Sequence, residues 1–524
     1  MKFLISIFLL SCAFTLTAQN QKLSNGLAFD GEPYLVVNPA NPDHIVVAWM
    51  GFVSFAEKFQ IKTRASFDGG LTWSSTAALP HAVTGYTSAD PSLDFDAAGN
   101  VVACYIDFTG TTPPISGAVF IRKSTDGGLT WGNAQEVINA NFDGTKWPID
   151  RPWMKIDKGS STTQGNIYVT TFNGNRTNAP YNPYLSVSTD GGNSFTSRFL
   201  DTTGYLAGSL NALPVCSPTI SSTGVFYGVY PSYVPTQNVF AQAFLASSSN
   251  GGVSISHKVA RTDNPPSQIG NYPDAKKASL LLSNPQNANH LALIFLSAKT
   301  GDIDVYLTES LNQGTSWTSP ERINDDPLTS GAMQDMIWGD FDYDGDLVIS
   351  WRDRRNGAST GYDSDSEIWA AVRSADSSQF EPNFQITNQL VAYDTILKSS
   401  GNDFMCISLE HDTIYAVWGD VRSGKIEIWF QKTDLNGNRL SIQQLTESLQ
   451  FDVYPNPTTS MLTVSSLEWK KINVYDANSR LVTSFENKTQ ADHYQLDLSR
   501  LKSGAYFIEV TSKQGVGVRK VIKQ

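Results

Sequence analysis

Short apolar segments separated by polar turns recur between residues 30 and 440. The strongest occupy residues 45–49, 101–106, 167–171, 291–296, 347–351 and 414–418. Each follows a short strand-like segment and a turn, and two further strand-like segments come after it. The runs are too short for helices and rich in β-branched and aromatic residues, so they indicate strands. The pattern predicts repeated units of four short β-strands.

One turn motif stands between the third and fourth strands of these units. It reads Ser-Thr-Asp-Gly-Gly-Leu-Thr-Trp at residues 124–131, with close copies at residues 66–73, 188–195, 248–255 and 310–317. An aspartate or asparagine holds the third position: Asp68, Asp126, Asp190, Asn250 and Asn312. This side chain can accept hydrogen bonds from amides inside the turn, and the glycines adopt positive φ without steric cost. We expect a tight hairpin with the closing aromatic residue packed beneath it.

The spacing of this motif sets the period of the repeat. Successive copies lie 58 to 64 residues apart, and the same register continues to degenerate copies at Asp376 and Asp434. Seven units fit between Asp30 and Leu440. Four short strands per unit at a near-constant period are typical of a β-propeller blade.

The motif resembles the Asp-box of the sialidase-like and other β-propeller families. That resemblance implies an all-β fold in which residues 24–440 form a seven-bladed propeller. A six-bladed ring, as in true sialidases, with one unit lost to a flanking sheet is the alternative. In those families the box is a folding element set away from the active face, so the resemblance implies fold more specifically than activity.

The chain ends in a second pattern of alternating strands. After a polar linker at residues 441–450, residues 451–524 contain a Tyr-Pro-Asn-Pro opening, a Gly-Ala-Tyr-Phe-Ile run and a basic tail. The pattern predicts a small β-sandwich. It resembles the C-terminal sorting domain of type IX secretion substrates of Bacteroidetes, and an ordinary immunoglobulin-like module is the alternative. The resemblance implies contact with the type IX machinery and delivery to the cell surface or the medium.

The N-terminus reads as an export signal. Lys2 gives a minimal positive end, residues 3–10 form an apolar core, and cleavage between Ala18 and Gln19 would remove residues 1–18. A lipoprotein box that acylates Cys12 is the weaker alternative. No later stretch is long and apolar enough to span a bilayer.

Composition excludes several classes of function. The formal net charge is −12 and there is no lysine/arginine run, so nucleic acid is not expected as a partner. Beyond Cys12, only Cys104, Cys216 and Cys406 remain, without disulfide-framework or metal spacing. The chain has six histidines and shows no serine-protease or cysteine-protease spacing.

The propeller resemblance places candidate chemistry at one mouth of the central channel, where the first strands begin. The loops that enter these strands carry a proline or an acid at the same position, which predicts a ring of carboxylates: Glu32, Asp90, Asp150, Asp274, Asp335 and Asp403. A proline that starts a strand, beside an acid that caps local amides, is the structural explanation for most of them. At Asp150, Arg151 and Trp153 a charge pair beside an aromatic ring would also suit a sugar. Tyr272 stands in another of these loops.

The loops between second and third strands give further candidates. Asp353 aligns with Asp420, and Arg355 aligns with Arg422. Because the aspartate–arginine pair recurs at the same position, each pair is expected to stabilise its own loop. Arg354 has no counterpart in the other unit and is therefore the better functional candidate.

A sialidase needs three arginines, a tyrosine nucleophile with a glutamate, and an acid/base aspartate. Arg151, Arg354 and Arg422 could supply the arginines, Tyr272 or Tyr34 the nucleophile, and Asp150 the acid. The arginine-isoleucine-proline motif of the family is missing. The sequence therefore favours a surface propeller that binds a glycan or polysaccharide, with an exo-glycosidase and an adhesive or scaffolding protein as alternatives.

No cofactor is predicted. Asp340, Asp342 and Asp344 are spaced like a calcium loop, but the twelfth position of an EF-hand count is Trp351 rather than glutamate. The stretch also aligns with the hairpin turn at residues 94–100, so a plain turn is favoured and calcium is the alternative.

Overall fold

The computed structural model describes residues 20–110, 115–142, 150–172, 183–201, 216–232, 238, 240, 242–262, 279–358, 363–392, 402–440, 451–465, 469–476, 481–487, 493–512 and 516–524. These residues form strands and turns and contain no helix, which confirms the all-β prediction. A search of the same residues for a helix able to cross a membrane finds none. The chain divides into two compact units, residues 1–440 and 441–524. The predicted signal peptide and linker lie outside the described residues.

The described part of the first unit forms seven four-stranded antiparallel sheets. The first two sheets are β2 (Asp30–Asn38), β3 (Asn41–Ser54), β4 (Lys58–Ser66), β5 (Ala77–Ala78), and β6 (Thr87–Phe95), β7 (Val101–Phe108), β8 (Gly117–Ser124), β9 (Gln135–Asn139). The third and fourth are β10 (Asp150–Ile156), β11 (Ile167–Phe172), β12 (Pro183–Ser188), β13 (Thr196–Phe199), and β14 (Ser217–Ile220), β15 (Phe226–Ser232), β16 (Gln242–Ser248), β17 (Ser256–Thr262). The fifth and sixth are β18 (Ser279–Ser283), β19 (Leu291–Ser297), β20 (Asp304–Ser310), β21 (Glu321–Arg322), and β22 (Gln334–Phe341), β23 (Leu347–Asp353), β24 (Glu367–Arg373), β25 (Phe384–Gln385).

The seventh sheet joins the two ends of this unit. It contains β26 (Cys406–Glu410), β27 (Thr413–Asp420) and β28 (Glu427–Asp434), and its fourth strand is β1 (Gln21–Lys22) from the N-terminal end. The repeated units of four strands are therefore as the sequence predicts.

The first strands of the seven sheets contact one another in a closed cycle. β2 contacts β6, and the contacts continue through β10, β14, β18, β22 and β26 back to β2. Between β6 and β10, Arg151 N donates to Asp90 Oδ2 at 3.4 Å, and Ile156 N donates to Asp94 Oδ2 at 2.8 Å. The two bonds advance in the same direction along both strands, so these first strands are parallel. A closed cycle excludes a linear stack of the units.

The two ends of the ring are distinct, and we call the end where the first strands begin the mouth and the other end the base. The glycine-bearing turns lie at the base. Gly69 N donates to Asp43 O at 2.9 Å, and His44 Nε2 lies 2.9 Å from Gly127 O, so these turns touch the start of β3. The candidate chemistry predicted for the first-strand entries therefore lies at the opposite end from the repeated turns.

The hairpin turns have the predicted geometry. Asp126 Oδ1 accepts from Thr130 N at 2.9 Å, and Ser124 Oγ accepts from the N–H of Gly128, which has φ of 91°. The side chains of Asp68, Asp190, Asn250 and Asn312 accept from turn amides in the same way. The Trp131 indole donates to Thr63 Oγ1 of the preceding sheet at 3.0 Å, so the closing aromatic joins neighbouring sheets.

The second strands are the most buried elements of the ring. Trp49, Trp351 and Trp418 occupy equivalent places in β3, β23 and β27, and each is at most 1% exposed. Sheets that pack on both faces bury every side chain, which explains why these strands are continuous apolar runs. The three described cysteines are buried.

The described residues of the second unit form seven strands in two sheets. They are β29 (Asp452–Tyr454), β30 (Met461–Ser465), β31 (Trp469–Asp476), β32 (Leu481–Glu486), β33 (His493–Asp497), β34 (Gly504–Ser512) and β35 (Val516–Lys523). The strand orders are β29-β30-β33 and β32-β31-β34-β35. Leu462 and Leu496 of the three-stranded sheet share one buried cluster with Ile472 and Ile508 of the other.

Candidate functional site at the mouth of the ring

The first strands begin with a backbone kink at the mouth. Glu32, Asp90, Arg151, Met336 and Asn402 have φ between 52° and 58°, a region that residues with a Cβ rarely adopt. At four of these positions the pairing with the second strand also skips. Proline follows three of them. Because the pairing between strands is interrupted there, the missing N–H of proline costs no hydrogen bond of the sheet. The sequence thus builds the same bulge into successive sheets.

Side chains at these bulges form a hydrogen-bond chain from sheet to sheet. Asn402 Oδ1 accepts from Glu32 N at 3.4 Å, and Glu32 Oε2 accepts from Asp90 N at 3.3 Å. Asp90 Oδ2 in turn accepts from Arg151 N at 3.4 Å. Each acid therefore satisfies an amide of the next sheet, which corrects the expectation that the acids cap local amides.

Glu32 titrates near neutral pH. Burial and the nearby Asp403 carboxylate raise the pKa of Glu32 to about 7, although the hydrogen bond from Asp90 and the charge of Arg151 act in the opposite direction. Glu32 is 3% exposed. The mouth therefore contains a carboxyl group that is largely protonated in mildly acidic water.

An ion pair crosses the mouth. Arg151 Nη2 lies 2.8 Å from Asp403 Oδ2, and the two side chains are 8% and 17% exposed. Arg151 belongs to the third sheet and Asp403 enters the seventh, which are not neighbours in the ring. The pair therefore bridges the channel rather than two adjacent sheets.

A second acid, Asp335, holds two arginines. Arg352 donates Nε and Nη2 to its two oxygens at 2.7 and 2.5 Å, and Arg354 Nη1 donates at 3.2 Å. Burial opposes ionisation, but the charges of Arg352 and Arg354 hold the pKa of Asp335 at about 2. The Arg354 side chain is 1% exposed. Arg354, the predicted functional arginine of this loop, is thus part of an internal ion pair.

Asp353 and Asp420 each stabilise their own loop, as their equivalent positions in the two units predict. Each accepts from the indole two residues before it and from the guanidinium two residues after it; the sets are Trp351–Asp353–Arg355 and Trp418–Asp420–Arg422. Arg422 Nη1 also donates to the side-chain oxygens of Asn20 and Asn388, at 2.9 and 2.7 Å. Arg422 therefore ties the seventh sheet to the N-terminal strand and to the sixth sheet.

The remaining predicted site residues at the mouth are Asp150, Tyr272 and Trp153. Asp150 starts β10 and its backbone pairs with Phe172, while its side chain and the whole of Tyr272 lie outside the described residues. Trp153 was expected to be an exposed ring for a sugar, but it is only 5% exposed. The bulge at Arg151 places the ring inside the channel, where apolar surface leaves water.

Four aromatic rings meet on the channel axis beneath the mouth. Ring centroids of Trp153 lie 5.8 Å from Tyr34, 5.2 Å from Trp338 and 5.1 Å from Phe404. The rings come from the first, third, sixth and seventh sheets. Burial also raises the pKa of Tyr34 well above its usual value, which disfavours it as a nucleophile. The cluster closes the channel under the bridge between Arg151 and Asp403.

A cavity of about 150 Å³ lies on the base side of this aromatic cluster. Its lining includes the charged side chains of Asp94, Lys158, Asp340 and Glu410. Lys158 Nζ contacts Asp94 Oδ1 at 2.5 Å. Burial and the neighbouring Asp340 and Asp342 carboxylates raise the pKa of Glu410 to about 8. This cavity was not anticipated from the sequence.

The predicted calcium residues do not form one cluster. Asp340 Oδ2 accepts from Ser408 Oγ at 3.1 Å and from Leu409 N at 3.2 Å, so it is used between sheets. Oxygens of Asp342, Asp344 and Asp412 do lie within 4.8 Å of one another. Asp342 Oδ2 already accepts from the amide of Asp412 at 2.9 Å, so this carboxylate joins the sixth sheet to the seventh.

The sequence predicts acids at the mouth, but it indicates a structural role for most of them. Glu32, Asp90, Asp335, Asn402 and Asp403 carry most of the described contacts there. The available signal was that Glu32 and Asn402 each stand two residues before an aromatic residue of the cluster, Tyr34 and Phe404. The partners of Glu32, Asp90 and Asp403 could not be predicted, because their contacts join different sheets.

The second unit matches a known family. The model of the secretion system C-terminal sorting domain matches residues 452–524. These residues are a type IX secretion sorting domain. The domain indicates export to the cell surface or the extracellular space, in contact with the type IX machinery.

Comparisons of the whole chain give distant likenesses. No curated protein matches it. A protein of unknown function from Dyadobacter fermentans is 13% identical with a TM-score of 0.44, covering 80% of this chain and 98% of its own. The Hadza microbial sialidase Hz136 is 14% identical with a TM-score of 0.43, covering 75% and 77%. The Penicillium chrysogenum alpha-L-arabinanase, complexed with arabinobiose, is 11% identical with a TM-score of 0.45, covering 80% and 99%. None of these values assigns an activity to this chain.

Proposed function

We propose that this exported protein is a seven-bladed propeller that binds a glycan or surface polysaccharide at its mouth. The proposed organisation is a signal peptide at 1–18, the propeller at 24–440, a linker at 441–450 and a sorting β-sandwich at 451–524. The closed cycle of first strands supports one axis, and each four-stranded sheet corresponds to one blade. The shared core of the last seven strands supports a sandwich.

The ion pair between Arg151 and Asp403 carries the proposal of glycan binding. It presents fixed donors and acceptors at a partly exposed position, while Glu32 and Asp90 hold the backbone of Arg151 beneath it. Sugar hydroxyls are recognised by such pre-positioned polar groups. The aromatic cluster fills the channel directly beneath this ion pair. The ligand would therefore lie across the mouth rather than enter the channel.

Sialic-acid hydrolysis is disfavoured by the arginines themselves. A sialidase needs three arginines facing the carboxylate of its substrate. Here Arg151 is held by Asp403, Arg354 by Asp335 and Arg422 by Asp420. A buried guanidinium already paired with a carboxylate gains little from exchanging it for another. Together with the missing arginine-isoleucine-proline motif, this favours binding.

An exo-glycosidase is the second candidate, and Glu32 is the observation in its favour. A general acid works best with a pKa near the working pH, and the pKa of Glu32 is raised to about 7 beside Asp403. An adhesive or scaffolding protein is the third candidate, favoured by the closed channel.

A glycan array and a panel of fluorogenic glycosides, both applied to the purified full chain, separate these candidates. We expect array binding without fluorophore release, and we expect Asp403→Asn to abolish the binding. Glu309→Gln is the matched control, because Glu309 pairs with Arg373 at 2.6 Å and is likewise 17% exposed, but at the base. Fluorophore release that is lost in Glu32→Gln would establish a glycosidase. Absence of both binding and release would leave the scaffolding function.

A further inference from the structure

An aromatic hairpin of the first sheet stands at the mouth. Residues 55–57 join β3 to β4 at the end of the sheet where β2 begins, and Phe52 N donates to Phe29 O at 2.9 Å. Phe55 in this hairpin is 96% exposed, the highest value among the large apolar side chains of the described residues, and Leu27 follows at 77%. The two most exposed of these side chains therefore lie at the mouth end of the same sheet.

Four phenylalanine rings form a row that ends at Phe55. The ring centroid of Phe59 lies 5.6 Å from those of Phe29 and Phe52, and the Phe52 centroid lies 5.6 Å from that of Phe55. All three pairs are edge-to-face, with interplanar angles of 86°, 70° and 75°, an arrangement that aromatic rings favour. Phe55 is the outermost ring of this row, and most of its surface remains open to solvent.

The inner end of the row lies next to the ion pair of the mouth. A Cβ at Gly31 would lie 2.7 Å from Phe29 Cζ and 3.4 Å from Asn402 Cβ, so both side chains approach the same point of β2. Asn402 directly precedes Asp403, which pairs with Arg151. The row of rings and the ion pair are therefore neighbouring parts of one surface at the mouth.

Polar contacts fix the hairpin that carries Phe55. Ser54 Oγ accepts from Glu57 N at 3.0 Å inside the turn. His81 Nε2 lies 2.8 Å from Glu57 O, and Lys58 Nζ donates to Gly85 O at 2.7 Å, so the loop before β6 holds the hairpin at two points. A hairpin held in this way loses little freedom when a ligand binds. An exposed apolar ring gains free energy when a ligand covers it.

We propose that Phe55 is a stacking subsite for one ring of a neutral oligosaccharide that also contacts the pair of Arg151 and Asp403. The inference rests on the proposed function and extends it, because it names the class of glycan. The C–H groups of a sugar ring carry a small positive charge and bury apolar area on an aromatic face. The acids of the mouth and the net charge of −12 disfavour an acidic glycan.

Titration calorimetry of the full chain with cellohexaose, xylohexaose and mannohexaose tests the inference. We expect at least one of them to bind, Phe55→Ala to weaken that binding about ten-fold because the stacked area is lost, and Phe55→Trp to keep it. Phe67→Ala is the matched control, because Phe67 is 51% exposed in a turn at the base, and it should bind like the wild type. Phe55→Ala should also melt like the wild type. If it melts earlier, a loss of affinity in Phe55→Trp as well overturns the inference.

The other outcomes separate this inference from the proposed function. Unchanged affinity in Phe55→Ala, with binding still abolished by Asp403→Asn, overturns the stacking subsite alone, and so does an equal loss in Phe67→Ala. Failure of all three hexasaccharides to bind, in a chain that binds glycans on the array, does the same. A wild type that binds no glycan overturns both. A dimer seen by light scattering and lost in Phe55→Ala would show that the ring packs on a second copy, which also overturns the subsite.

Discussion

The Arg151 guanidinium lies 2.8 Å from the Asp403 carboxylate, although the two residues belong to sheets that are not neighbours in the ring. This bridge crosses the mouth of the ring. Beneath it, the ring of Trp153 packs on aromatic residues from three other sheets. The pair thus closes the channel and at the same time presents charge to solvent.

We predict that Arg151 and Asp403 are energetically coupled. Each single alanine variant should lose about 1–3 kcal/mol of unfolding free energy, and the double variant should lose less than the sum, because no unpaired charge remains. Urea denaturation of the four proteins gives the coupling energy. The pair Arg373–Glu309 at the base serves as control and should show coupling in stability without any effect on glycan binding. Additive losses at the mouth would contradict the bridge.

Glu32 predicts a pH dependence of stability. The native pKa is raised to about 7 from 4.5. Between these values the native state binds more protons than the unfolded chain, so the unfolding free energy falls as pH rises. Glu32→Gln removes this titration. We expect the stability of the wild type relative to Glu32→Gln to fall by about 2 kcal/mol from pH 4.5 to pH 7, measured by urea denaturation.

Glu410→Gln is the comparison for that experiment. The pKa of Glu410 is raised to about 8, so its effect should continue to fall up to pH 8, after that of Glu32 has levelled off. A constant difference between wild type and Glu32→Gln across pH 4.5 to 8 would show that Glu32 titrates normally.

Features that depend on neighbouring residues in the chain can be predicted from the sequence. Contacts that form only when distant sheets meet in the closed ring cannot. The turn at Asp126 follows from a carboxylate and two glycines within five residues, so its copies could be recognised one by one. Arg422 could be assigned to a loop-pinning pair because the pair recurs in register. The partners Arg151 and Asp403 are 252 residues apart, and nothing local pairs them. The burial of Trp153 likewise depends on three other sheets.

The two glycines of one hairpin turn give a matched test of packing. Gly191 and Gly192 both have positive φ, at 72° and 94°. A Cβ at Gly192 would lie 2.6 Å from Ile121 Cδ1, whereas at Gly191 no atom lies within 4 Å. Both alanine variants should pay strain of about 1 kcal/mol, and Gly192→Ala should lose about 1–3 kcal/mol more through overpacking. Equal urea midpoints for the two variants would contradict the packing of this turn on the preceding sheet.

The N-terminal strand gives the last prediction, which concerns closure of the ring. Asn20 Nδ2 donates to Ile386 O and Gln431 Oε1, at 3.3 and 2.9 Å, and its Oδ1 accepts from Asn388 N and Arg422 Nη1, both at 2.9 Å. Asn20 is 7% exposed, so an alanine there would leave several buried groups without a partner.

Asn20→Ala should therefore lower the unfolding free energy by about 2 kcal/mol and free β1 from β28. Amide hydrogen exchange is the decisive measurement, because local opening exposes only the bonds that break. We expect faster exchange in β28, next to β1, and unchanged exchange in β7, which lies in the second sheet. Lys22→Ala is the control, since Lys22 lies in β1, two residues after Asn20, but its side chain is 40% exposed, with a 3.4 Å contact to Glu427. If Asn20→Ala speeds exchange equally in every sheet, the ring unfolds as one unit and β1 does not act as a separate closing strand.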